Sequence, residues 1–552
     1  MTDGQGTTTG VRQVLLRRVD DVVEAVELRG PEVVGTTALP ADDLPAFVRT
    51  HEADRPRWTW DDTARWYPEL LQAGVRVERC ADLRLQHDVL RRSPLCRLGP
   101  ADEDAAAWDR LEPVTASVGA LFDGHEVAGL DALAEHVRQQ HALTGSEHRA
   151  RLGLLLTAES SGALVAAELT HAGLPWRADV HRQVLEQLLG PRPATGRRPA
   201  TLERLLQQLR GAFDAPALNP DSPGSLLPAL RAAGLEVPDT RSWTLERLDH
   251  PGVPVLLEYK KLARLLSTNG WHWLDTWVEA GRFRPEYVPG GVVTGRWASR
   301  GGGALTIPAP LRPAVVADDG WRLVVADAAQ LEPRVLAGLS HDLAMADAGR
   351  GTDLYEGMVR SGAVATRSEA KLGMLGAMYG GTRGESGRMI ARMTRAYPAA
   401  VGCVEDAARA GERGEVVRTL LGRGSPVPAG SWTQDTEDRP RDVDAETRDR
   451  RAWGRFTRNF VVQGTAAEWA LAWLARLRNR LWLLGEGPLT DRPHLVLFLH
   501  DEVVVHCPGH LVADVEAAVT DAAAEAGRLL FGDFPVDFPL EVSVVGSWAQ
   551  AR

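Results

Sequence analysis

The sequence predicts a multidomain α+β protein, and three observations lead to that fold class. The chain has 552 residues, which is enough for roughly two to four packed units. Short apolar runs joined by polar, proline-containing connections fill residues 1–150 and indicate a small α/β unit. From Arg151 onward the apolar residues recur at helical spacing, so a domain boundary is predicted near residue 150.

The region after residue 150 has helices with recognisable ends. Residues 179–190 have helical periodicity that stops at Gly190, just before a proline. A proline-rich basic linker follows, and residues 255–281 then predict a pair of long amphipathic helices. Between Arg423 and Arg451 the chain is rich in Pro, Asp, Arg and Thr, and an exposed loop is expected there.

The charge of the chain bears on its partners. A net charge of -11 is mildly unfavourable for a nucleic-acid partner, because phosphates are bound by Lys and Arg that face them. An acidic protein can nevertheless have a basic cleft. Cations are found at Lys260, Lys261, Arg264, Arg296, Arg300, Arg383, Arg388, Arg455 and Arg458.

Cysteine usage and hydropathy bear on the compartment. The cysteines lie far apart and form no CxxC pair, so reduced thiols in a cytosolic protein are expected. There is no charged-then-apolar leader and no run of about 18 apolar residues, which predicts neither secretion nor membrane insertion.

Residues 321–342 contain the first segment that could support catalysis. The apolar run at 323–326 is typical of a buried strand and places Asp327 at its end. A helix is predicted to begin near Glu332, with Pro333 in its first turn. On its own, this aspartate is more simply explained as a turn or helix-capping residue.

Residues 494–508 are the second such segment. Two apolar runs flank His500, Asp501 and Glu502 and predict a hairpin with acidic residues at its turn. Aspartate is common in turns for structural reasons alone. Together with Asp327, however, the hairpin offers carboxylates from separate strands, which two-metal phosphoryl transfer requires.

Residues 366–381 predict a helix with a stripe of functional side chains. Arg367, Lys371, Leu375 and Tyr379 recur at every fourth position and therefore share one slowly drifting face. Two cations ahead of an aromatic ring would suit a triphosphate with a base beyond it. A solvated charged face is the alternative, although Tyr379 followed by two glycines fits that alternative poorly.

These three segments resemble the motifs of family A DNA polymerases, the DNA polymerase I family. The family's RxxxKxxxFxxxYG motif corresponds to residues 367–380, and its HDE motif to residues 500–502. Its DYSQIELR motif stands here as DAAQLEPR and retains Asp327, Gln330, Glu332 and Arg334. Further matches occur at residues 258–268, 294–299 and 455–468, so the resemblance covers about residues 150–552.

The resemblance implies a right-hand polymerase fold with palm, thumb and fingers. It also implies that an RNase-H-like α/β remnant of a 3'-5' exonuclease, as in actinobacterial forms, precedes the polymerase. The implied domains are a degenerate exonuclease-like domain at 1–150 and a polymerase domain at 151–552. In the polymerase domain the thumb would be about 200–290, the fingers about 341–454, and the palm about 291–340 and 455–552.

The resemblance further implies roles for individual residues. Asp327 and Asp501 would bind two Mg²⁺ ions, with Mn²⁺ as an alternative, and Glu502 would lie close by. Lys371 would donate a proton to the leaving pyrophosphate. The nucleotide would be bound by Arg367, Lys371, Leu375, Tyr379, Gln330 and Glu332. The DNA would be bound by Lys260, Arg264, Thr294, Arg296, Arg455, Asn459, Gln463 and His500.

The same resemblance implies partners and a location. The partners would be primer-template DNA and deoxynucleoside triphosphates, bound by a monomer with no membrane partner. The location would be the bacterial cytoplasm, at the nucleoid.

The chain departs from the family pattern at a few positions. Glu332 is kept where the family implies a block against a ribose 2'-hydroxyl, which favours DNA synthesis over RNA synthesis. Leu375 stands where the family has Phe or Tyr, so weaker stacking on the incoming nucleotide is expected. Tyr355 replaces a His, and Ala328 and Ala329 replace Tyr and Ser.

Residues 57–85 resemble the middle of the family's proofreading exonuclease, with Asp61, Asp62 and Asp82 in comparable positions. Such exonucleases bind two metals through four carboxylates, beginning with D-x-E and ending with Y-x-x-x-D. Residues 1–150 contain no D-x-E, and Leu71 stands four residues after Tyr67. We therefore expect exonuclease activity to be absent. A bifunctional exonuclease and polymerase, an RNA polymerase or primase relative, and a non-catalytic DNA-binding scaffold remain as alternatives.

Overall fold

The computed structural model of the protein describes residues 12–20, 22–99, 103–111, 130–381, 384–428 and 443–551. The chain forms two compact units. The first consists of Met1–Ala172, Glu286–Gly301 and Gly320–Val544, and the second of Gly173–Pro285, Gly302–Asp319 and Val545–Arg552. Both contain helices and strands, as the predicted α+β class requires.

The α/β region predicted for residues 1–150 is present in the first unit. Its strands are β1 (Gln13–Val19), β2 (Val22–Arg29), β3 (Glu32–Pro40), β4 (Arg57–Trp60) and β5 (Cys80–Asp82), in the sheet order β3-β2-β1-β4-β5. Its helices are α1 (Leu44–His51), α2 (Thr63–Gln72), α3 (Leu83–Arg92), α4 (Glu103–Asp109) and α5 (Ala132–Thr144). Strands β1 to β3 are antiparallel, and β4 and β5 extend the sheet in parallel. Leu16, Trp58 and Trp60 lie in the core between this sheet and its helices.

Helix α6 (Arg149–Ala172) packs against α2 and β5. By length and composition it could cross a membrane, yet 72% of its most apolar window is buried inside the protein. It also carries Glu159 and Glu168, which form ion pairs with Arg423 and Arg478. Burial together with these ion pairs identifies α6 as a core helix.

The prediction of an exposed loop between Arg423 and Arg451 is wrong at both ends. Arg423 and Ser425 are buried. The Arg423 guanidinium pairs with the buried carboxylate of Glu159, and the Ser425 hydroxyl accepts a hydrogen bond of 3.1 Å from the Val417 N–H. At the other end, α19 (Val443–Leu483) has already begun, with acidic residues in its first turn that favour a helix N-terminus. The middle of the stretch, residues 429–442, lies outside the described residues.

A four-stranded sheet carries the predicted acidic residues. Its strands are β11 (Trp321–Ala328), β12 (His494–Leu499), β13 (Glu502–Pro508) and β14 (Leu540–Val545), in the order β12-β13-β11-β14. Strand β13 is antiparallel to both β11 and β12, and α20 (Val512–Phe531) packs against β11 and β13. The predicted strand before Asp327 and the predicted hairpin at 494–508 are confirmed.

The helices between β11 and β12 form an apolar core of their own that is rich in methionine. They are α13 (Leu331–Ser340), α14 (Leu343–Gly349), α15 (Leu354–Arg360), α16 (Arg367–Tyr379), α17 (Gly384–Ala396) and α18 (Pro398–Glu412), followed by α19. Met358, Met374 and Met393 are almost completely buried in this core. Helix α13 contains Pro333 in its first turn, and α16 covers the predicted stripe, as expected from the sequence.

The second unit is mainly helical. Its helices are α7 (Ala178–Leu189), α8 (Ala200–Ala212), α9 (Pro223–Ala232), α10 (Ser242–Leu245), α11 (Gly252–Asn269) and α12 (Trp271–Trp277), and its strands are β6 (Leu174–Pro175), β7 (Val278–Glu279) and β8 (Arg282–Phe283). Helix α7 ends before Gly190, whose φ of 89° suits glycine. Helix α11 is the first long helix predicted in this region, but the prediction of a second long helix is wrong: α12 has 7 residues and is followed by strand β7. The remaining strands, β9 (Glu286–Val288) and β10 (Ala298–Gly301), form an antiparallel pair in the first unit.

Candidate active site

The predicted acidic residues meet at one end of the β11, β12 and β13 strands. Asp327 lies opposite Glu502 in the antiparallel register of β11 and β13. Asp501 precedes Glu502 in the hairpin turn, and its carbonyl oxygen accepts a hydrogen bond of 2.9 Å from the Ala328 N–H. His500 has a φ of 61°, which lets the chain reverse within two residues. Sequence-distant carboxylates are thus brought to one site.

The electrostatics of this site favour a cation. Burial, together with repulsion from the like charges of Asp501, Glu502 and Glu541, raises the pKa of Asp327 to about 7. Burial also raises the pKa of Asp501, while the nearby Arg296 guanidinium opposes that rise. Partly buried carboxylates that repel one another are the oxygen ligands that hard divalent cations prefer. The side chains therefore fit the metal ions that the family resemblance implies.

Glu541 is a member of this cluster that the sequence did not reveal. It lies on β14, the strand next to β11. Its strand alternates apolar and polar residues, which could have placed Glu541 on one face. Nothing in that pattern indicates that the face adjoins Asp327, since the pairing of β14 with β11 is long-range.

Glu332 joins residues from three separate elements beside the acidic cluster. Its carboxylate accepts hydrogen bonds from the Arg296 guanidinium and from the Tyr379 hydroxyl, the latter at 2.8 Å. The Gln463 amide donates to the same hydroxyl at 3.5 Å. The structure thus brings together four of the residues predicted for nucleotide and primer contact: Arg296, Glu332, Tyr379 and Gln463.

Helix α16 presents the predicted stripe on its exposed face. The relative exposure is 37% for Leu375 and 41% for Tyr379, whereas Met374 and Met378 on the opposite face are buried. Arg367 and Lys371 are exposed as well. The helix ends at Gly380 in the left-handed conformation, where the Arg455 side chain packs closely. The exposed stripe is therefore accessible to a ligand.

Arg367 has a partner that the sequence did not predict. Its guanidinium donates to Asp353 Oδ2 at 2.8 Å, and the Gln330 amide donates to the same oxygen at 3.2 Å. Asp353 also accepts from the Glu356 N–H and so caps α15. The Tyr355 ring lies 5.5 Å from the Arg367 guanidinium carbon. These contacts hold Arg367, which is predicted to bind the triphosphate, close to α15.

The predicted primer-side residues lie mostly on α19. Arg455, Asn459 and Gln463 are spaced by four residues and share one helix face. Asn459 Oδ1 and His500 Nδ1 are buried without a hydrogen-bond partner among the described residues. Burial lowers the pKa of His500. Unsatisfied buried polar atoms of this kind are rare in folded proteins and suit contact with a bound molecule. Thr294 is 4% exposed, and its Oγ1 is likewise buried without a hydrogen-bond partner among the described residues.

Two predicted DNA ligands belong to the second unit. Lys260 and Arg264 lie one turn apart on α11. The Lys260 ammonium donates to the Thr240 carbonyl, and burial lowers its pKa. Arg264 is exposed.

The aspartates of the N-terminal α/β region have structural partners. Asp62 caps α2 and forms an ion pair with Arg84 at 2.7 Å. Asp82 caps α3 and accepts hydrogen bonds from the N–H groups of Thr63 and Leu85 at 2.8 and 3.0 Å. Asp61 accepts from the Trp66 indole at 2.6 Å. Each carboxylate thus stabilises a helix or a side chain beside it.

Groups of three or more potential metal-ligand side chains are absent from the part of the chain that the structure describes. For the polymerase pair this is expected, because Mg²⁺ is usually held by one or two carboxylates together with water and substrate oxygens.

Comparisons with known proteins agree with this site. The sequence pattern of the family described as DNA polymerase family A matches residues 225–550. The thermostable DNA polymerase I of Thermus filiformis is 31% identical over 336 residues, which cover 55% of this chain and 37% of the relative. DNA polymerase I of Chloroflexus aurantiacus is 26% identical over 390 residues, which cover 63% of this chain and 39% of the relative. The match thus spans well under half the length of these curated relatives.

The fold is also that of a solved polymerase structure. The POL domain of Pol1 from M. smegmatis, in complex with DNA primer-template and dNTP, superposes with a TM-score of 0.72 at 18% sequence identity. The superposition covers 99% of this chain and 97% of that chain. The family pattern extends over more than half of the sequence and contains the acidic cluster, Glu332 and the α16 stripe. The chain therefore belongs to DNA polymerase family A.

Proposed function

We propose that the chain is a template-directed DNA polymerase. It adds deoxynucleotides to the 3'-hydroxyl of a DNA primer and releases pyrophosphate. The observation that carries this proposal is the meeting of Asp327, Asp501 and Glu502 beside the network of Arg296, Glu332 and Tyr379. A carboxylate cluster next to a cationic helix is the arrangement that phosphoryl transfer needs.

The proposed metal ligands are Asp327 and Asp501, with Glu502 nearby. Family A DNA polymerases generally use divalent metal ions, and we propose two Mg²⁺ ions here, with Mn²⁺ as a substitute. When bound, such ions supply Lewis-acid stabilisation of the charge on the transferring phosphoryl group. The raised pKa of Asp327 supports this assignment, since a cation would relieve the repulsion that raises it.

The proposed steps use side chains of this chain. Arg367 leaves Asp353 and, with Lys371, binds the triphosphate along the exposed face of α16. The primer 3'-hydroxyl loses its proton to solvent and its oxygen attacks the α-phosphorus. The bond between the α-phosphorus and the oxygen that bridges to the β-phosphorus breaks, and Lys371 protonates the leaving pyrophosphate. Tyr379 lies at the templating position, and Gln330 orients the nucleotide. Catalysis is therefore attributed to positioning and charge neutralisation.

The proposed DNA contacts divide between the minor groove and the backbone. Arg455, Asn459, Gln463 and His500 contact the primer terminus. Arg296 and Thr294, which lie in the turn at residues 292–296, contact the DNA beside them. Such contacts suit a copying enzyme, because the minor groove presents acceptors common to all correct pairs. Lys260 and Arg264 contact the duplex backbone.

We assign domains accordingly. Residues 1–150 are the exonuclease-like domain and 151–552 the polymerase domain. Its thumb lies at about 200–290, its fingers at about 341–454, and its palm at about 291–340 and 455–552. We further propose a monomer that works in the bacterial cytoplasm at the nucleoid, without a membrane partner. The bacterial origin of the relatives supports that location.

The function is tested by primer extension. Purified full-length chain, a primed DNA template, the four deoxynucleotides and Mg²⁺ are incubated, and the products are separated by length. Template-dependent extension that stops on chelation of the metal is expected. Absence of extension with both Mg²⁺ and Mn²⁺ would instead favour the alternative of a non-catalytic DNA-binding scaffold.

We propose that the N-terminal region has no exonuclease activity. Asp62 and Asp82 are used as helix caps, which supports this assignment. The full-length chain, given a primer with a 3' mismatch and metal but no nucleotides, is expected to leave the primer intact. Metal-dependent shortening that persists in an Asp501→Asn variant would establish the bifunctional alternative.

Leu375→Phe tests the effect of the leucine in α16 that stands where the family has Phe or Tyr. Restoring an aromatic ring is expected to strengthen stacking on the incoming nucleotide and to lower its KM by roughly 2- to 10-fold, since aromatic stacking contributes about 0.5–1.5 kcal/mol. Discrimination against dideoxynucleotides should change as well. Single-nucleotide incorporation with both nucleotide types provides the measurement. Identical kinetics for Leu375→Phe and wild type would show that the leucine has no such effect.

Glu332→Ala tests the block against ribonucleotides. Removing the side chain is expected to raise the use of ribonucleotides relative to deoxynucleotides by about 10- to 100-fold, because a hydroxyl-sized clash is removed. The deoxynucleotide rate should fall at the same time, since Arg296 and Tyr379 lose their shared acceptor. Glu332→Gln keeps the volume and an acceptor and serves as the control. Unchanged selectivity in Glu332→Ala would reopen the RNA polymerase alternative.

A further inference from the structure

Arg423 is a buried cation that the proposed mechanism does not use. It is 4% exposed, and its guanidinium pairs with Glu159, which is 1% exposed. Arg423 Nε is buried without a hydrogen-bond partner among the described residues. A buried charge with an unused donor is unfavourable for the fold by itself. Its position therefore calls for an explanation in terms of what it packs against.

The Arg423 guanidinium lies against the backbone of Gly295. A Cβ atom added at Gly295 would be 2.7 Å from Arg423 Nε and 3.0 Å from its Cζ, and the φ of +85° also requires glycine. Gly295 belongs to a tight turn in which the Val292 N–H donates to the Arg296 carbonyl at 3.0 Å. Arg423 thus forms the support under the turn that presents Arg296 to Glu332.

Arg423 is itself fixed by a second turn, residues 417–425, which we call the Arg423 turn. The Thr419 N–H donates to the Arg423 carbonyl at 3.0 Å, and the Arg423 N–H donates to the Thr419 hydroxyl at 2.9 Å. The Leu421 N–H donates to Glu468 of α19 at 3.0 Å. These hydrogen bonds fix the backbone from which the Arg423 side chain extends.

The other side of the Arg423 turn contacts the N-terminal α/β region, at the end of α3. The Ser93 hydroxyl donates to the Gly422 carbonyl at 2.6 Å. A Cβ atom at Gly424 would lie 1.9 Å from the Arg92 carbonyl oxygen, and one at Gly422 would lie 2.6 Å from Leu95 Cδ1. Two glycines therefore allow the backbone of the Arg423 turn to touch this region directly.

We infer that the N-terminal α/β region supports DNA synthesis mechanically, through the Arg423 turn, with Ser93 and Arg423 as positioning residues for Arg296. The inference rests on the proposed polymerase function. It gives the region a role in synthesis that does not need nuclease ligands. Positioning of this kind has large kinetic consequences, because a displacement of about 1 Å can cost about 100-fold in rate.

Two variants interrupt this connection at different points. Arg423→Lys keeps the charge opposite Glu159 but removes the planar group under Gly295, and should lower kcat/KM for primer extension by roughly 10- to 100-fold. Ser93→Ala removes one hydrogen bond and should lower it by roughly 2- to 10-fold. Ser93→Thr keeps the hydroxyl and should restore the rate.

Thr50→Ala is a control for Ser93→Ala in the same region of the chain. The Thr50 hydroxyl also donates to a carbonyl, that of Ala46 at 3.0 Å, but within α1 and not to the Arg423 turn. We expect wild-type kinetics for this variant. Thermal unfolding of each variant reports any general loss of stability separately.

A double-mutant cycle with Arg296→Ala gives the deciding measurement. If Arg423 and Ser93 act through Arg296, Arg423→Lys and Ser93→Ala should each lower kcat/KM by less than about 2-fold in the Arg296→Ala background. Full additivity in the cycle, or wild-type kinetics for both single variants, would overturn the inference. If Arg423→Lys does not fold, the Ser93 cycle decides alone. Failure of the wild type to extend a primer would refute the proposed function instead.

Discussion

Replacing Asp501 or Asp327 by asparagine is expected to lower kcat of primer extension by about 10³-fold or more, since metal-bound carboxylates contribute several kcal/mol to phosphoryl transfer. Asparagine keeps the size of the side chain and removes its charge. The backbone contact between Ala328 and the Asp501 carbonyl does not depend on either side chain. A large loss of activity with an unchanged fold would therefore report on the charge itself.

The same substitution at Asp327 should leave the metal-free protein at least as stable as the wild type. Asp327 has a raised pKa of about 7 in the folded chain. Because the pKa is raised on folding, the side chain makes its full contribution to the free energy of unfolding below its ordinary pKa. That contribution is lost as the pH rises through about 7. The melting temperature of Asp327→Asn should accordingly exceed that of the wild type above this pH. Added Mg²⁺ should raise the melting temperature of the wild type and have little effect on the variant.

Asp347→Asn provides the control, because Asp347 is an exposed aspartate on α14 that pairs with Arg350, three residues away. We expect wild-type activity and a wild-type melting temperature for it. Extension at the wild-type rate by Asp501→Asn would remove Asp501 from the proposed metal site. A marked loss of metal-free stability in Asp327→Asn would instead show that the carboxylate is needed for folding.

The parts of the site that the sequence predicted are those with a strong local pattern. Asp327 follows a continuous apolar strand, and Asp501 lies between two such strands, so each could be placed at a strand end. The α16 stripe follows from a four-residue spacing. The family resemblance then joined these segments. Local periodicity and an ordered set of motifs were thus sufficient for the strands and helices that carry Asp327, Asp501 and the α16 stripe.

The parts that the sequence did not predict depend on long-range pairing. Glu541 reaches Asp327 only because β14 pairs with β11. Arg423 stands in a stretch whose polar composition predicts exposure, yet it is buried by an ion pair with a residue 264 positions earlier. Asp353 appears as an ordinary helix cap until the Arg367 guanidinium is seen beside it. Composition and periodicity contain no information about such partners.

Almost all of the basic residues in the chain are arginines. Of 63 Lys and Arg residues, three are lysines: Lys260, Lys261 and Lys371. Wherever a positive charge alone is sufficient, this chain therefore almost always has arginine. Arginine cannot be deprotonated in proteins and so cannot donate a proton to a leaving group. A proton donor at position 371 would have to be lysine, whereas a residue that supplied only positive charge could equally be arginine.

Lys371→Arg and Lys371→Ala separate these two roles. If Lys371 only attracted the triphosphate, arginine would replace it with little loss. If it also protonates the pyrophosphate, Lys371→Arg should keep KM for the nucleotide within about 3-fold but lower kcat by roughly 10²- to 10⁴-fold, the usual contribution of a general acid. Lys371→Ala should show the same loss in kcat and, in addition, a higher KM.

The measurement is single-nucleotide incorporation under conditions in which chemistry is slower than nucleotide dissociation, so that KM reflects binding. Leu375→Arg is not a suitable control, because Leu375 is proposed to contact the nucleotide. Lys261→Arg is preferable, since Lys261 is an exposed lysine on α11 to which we assign no catalytic role. Wild-type kcat in Lys371→Arg would show that charge is sufficient at this position and that the proton comes from another donor.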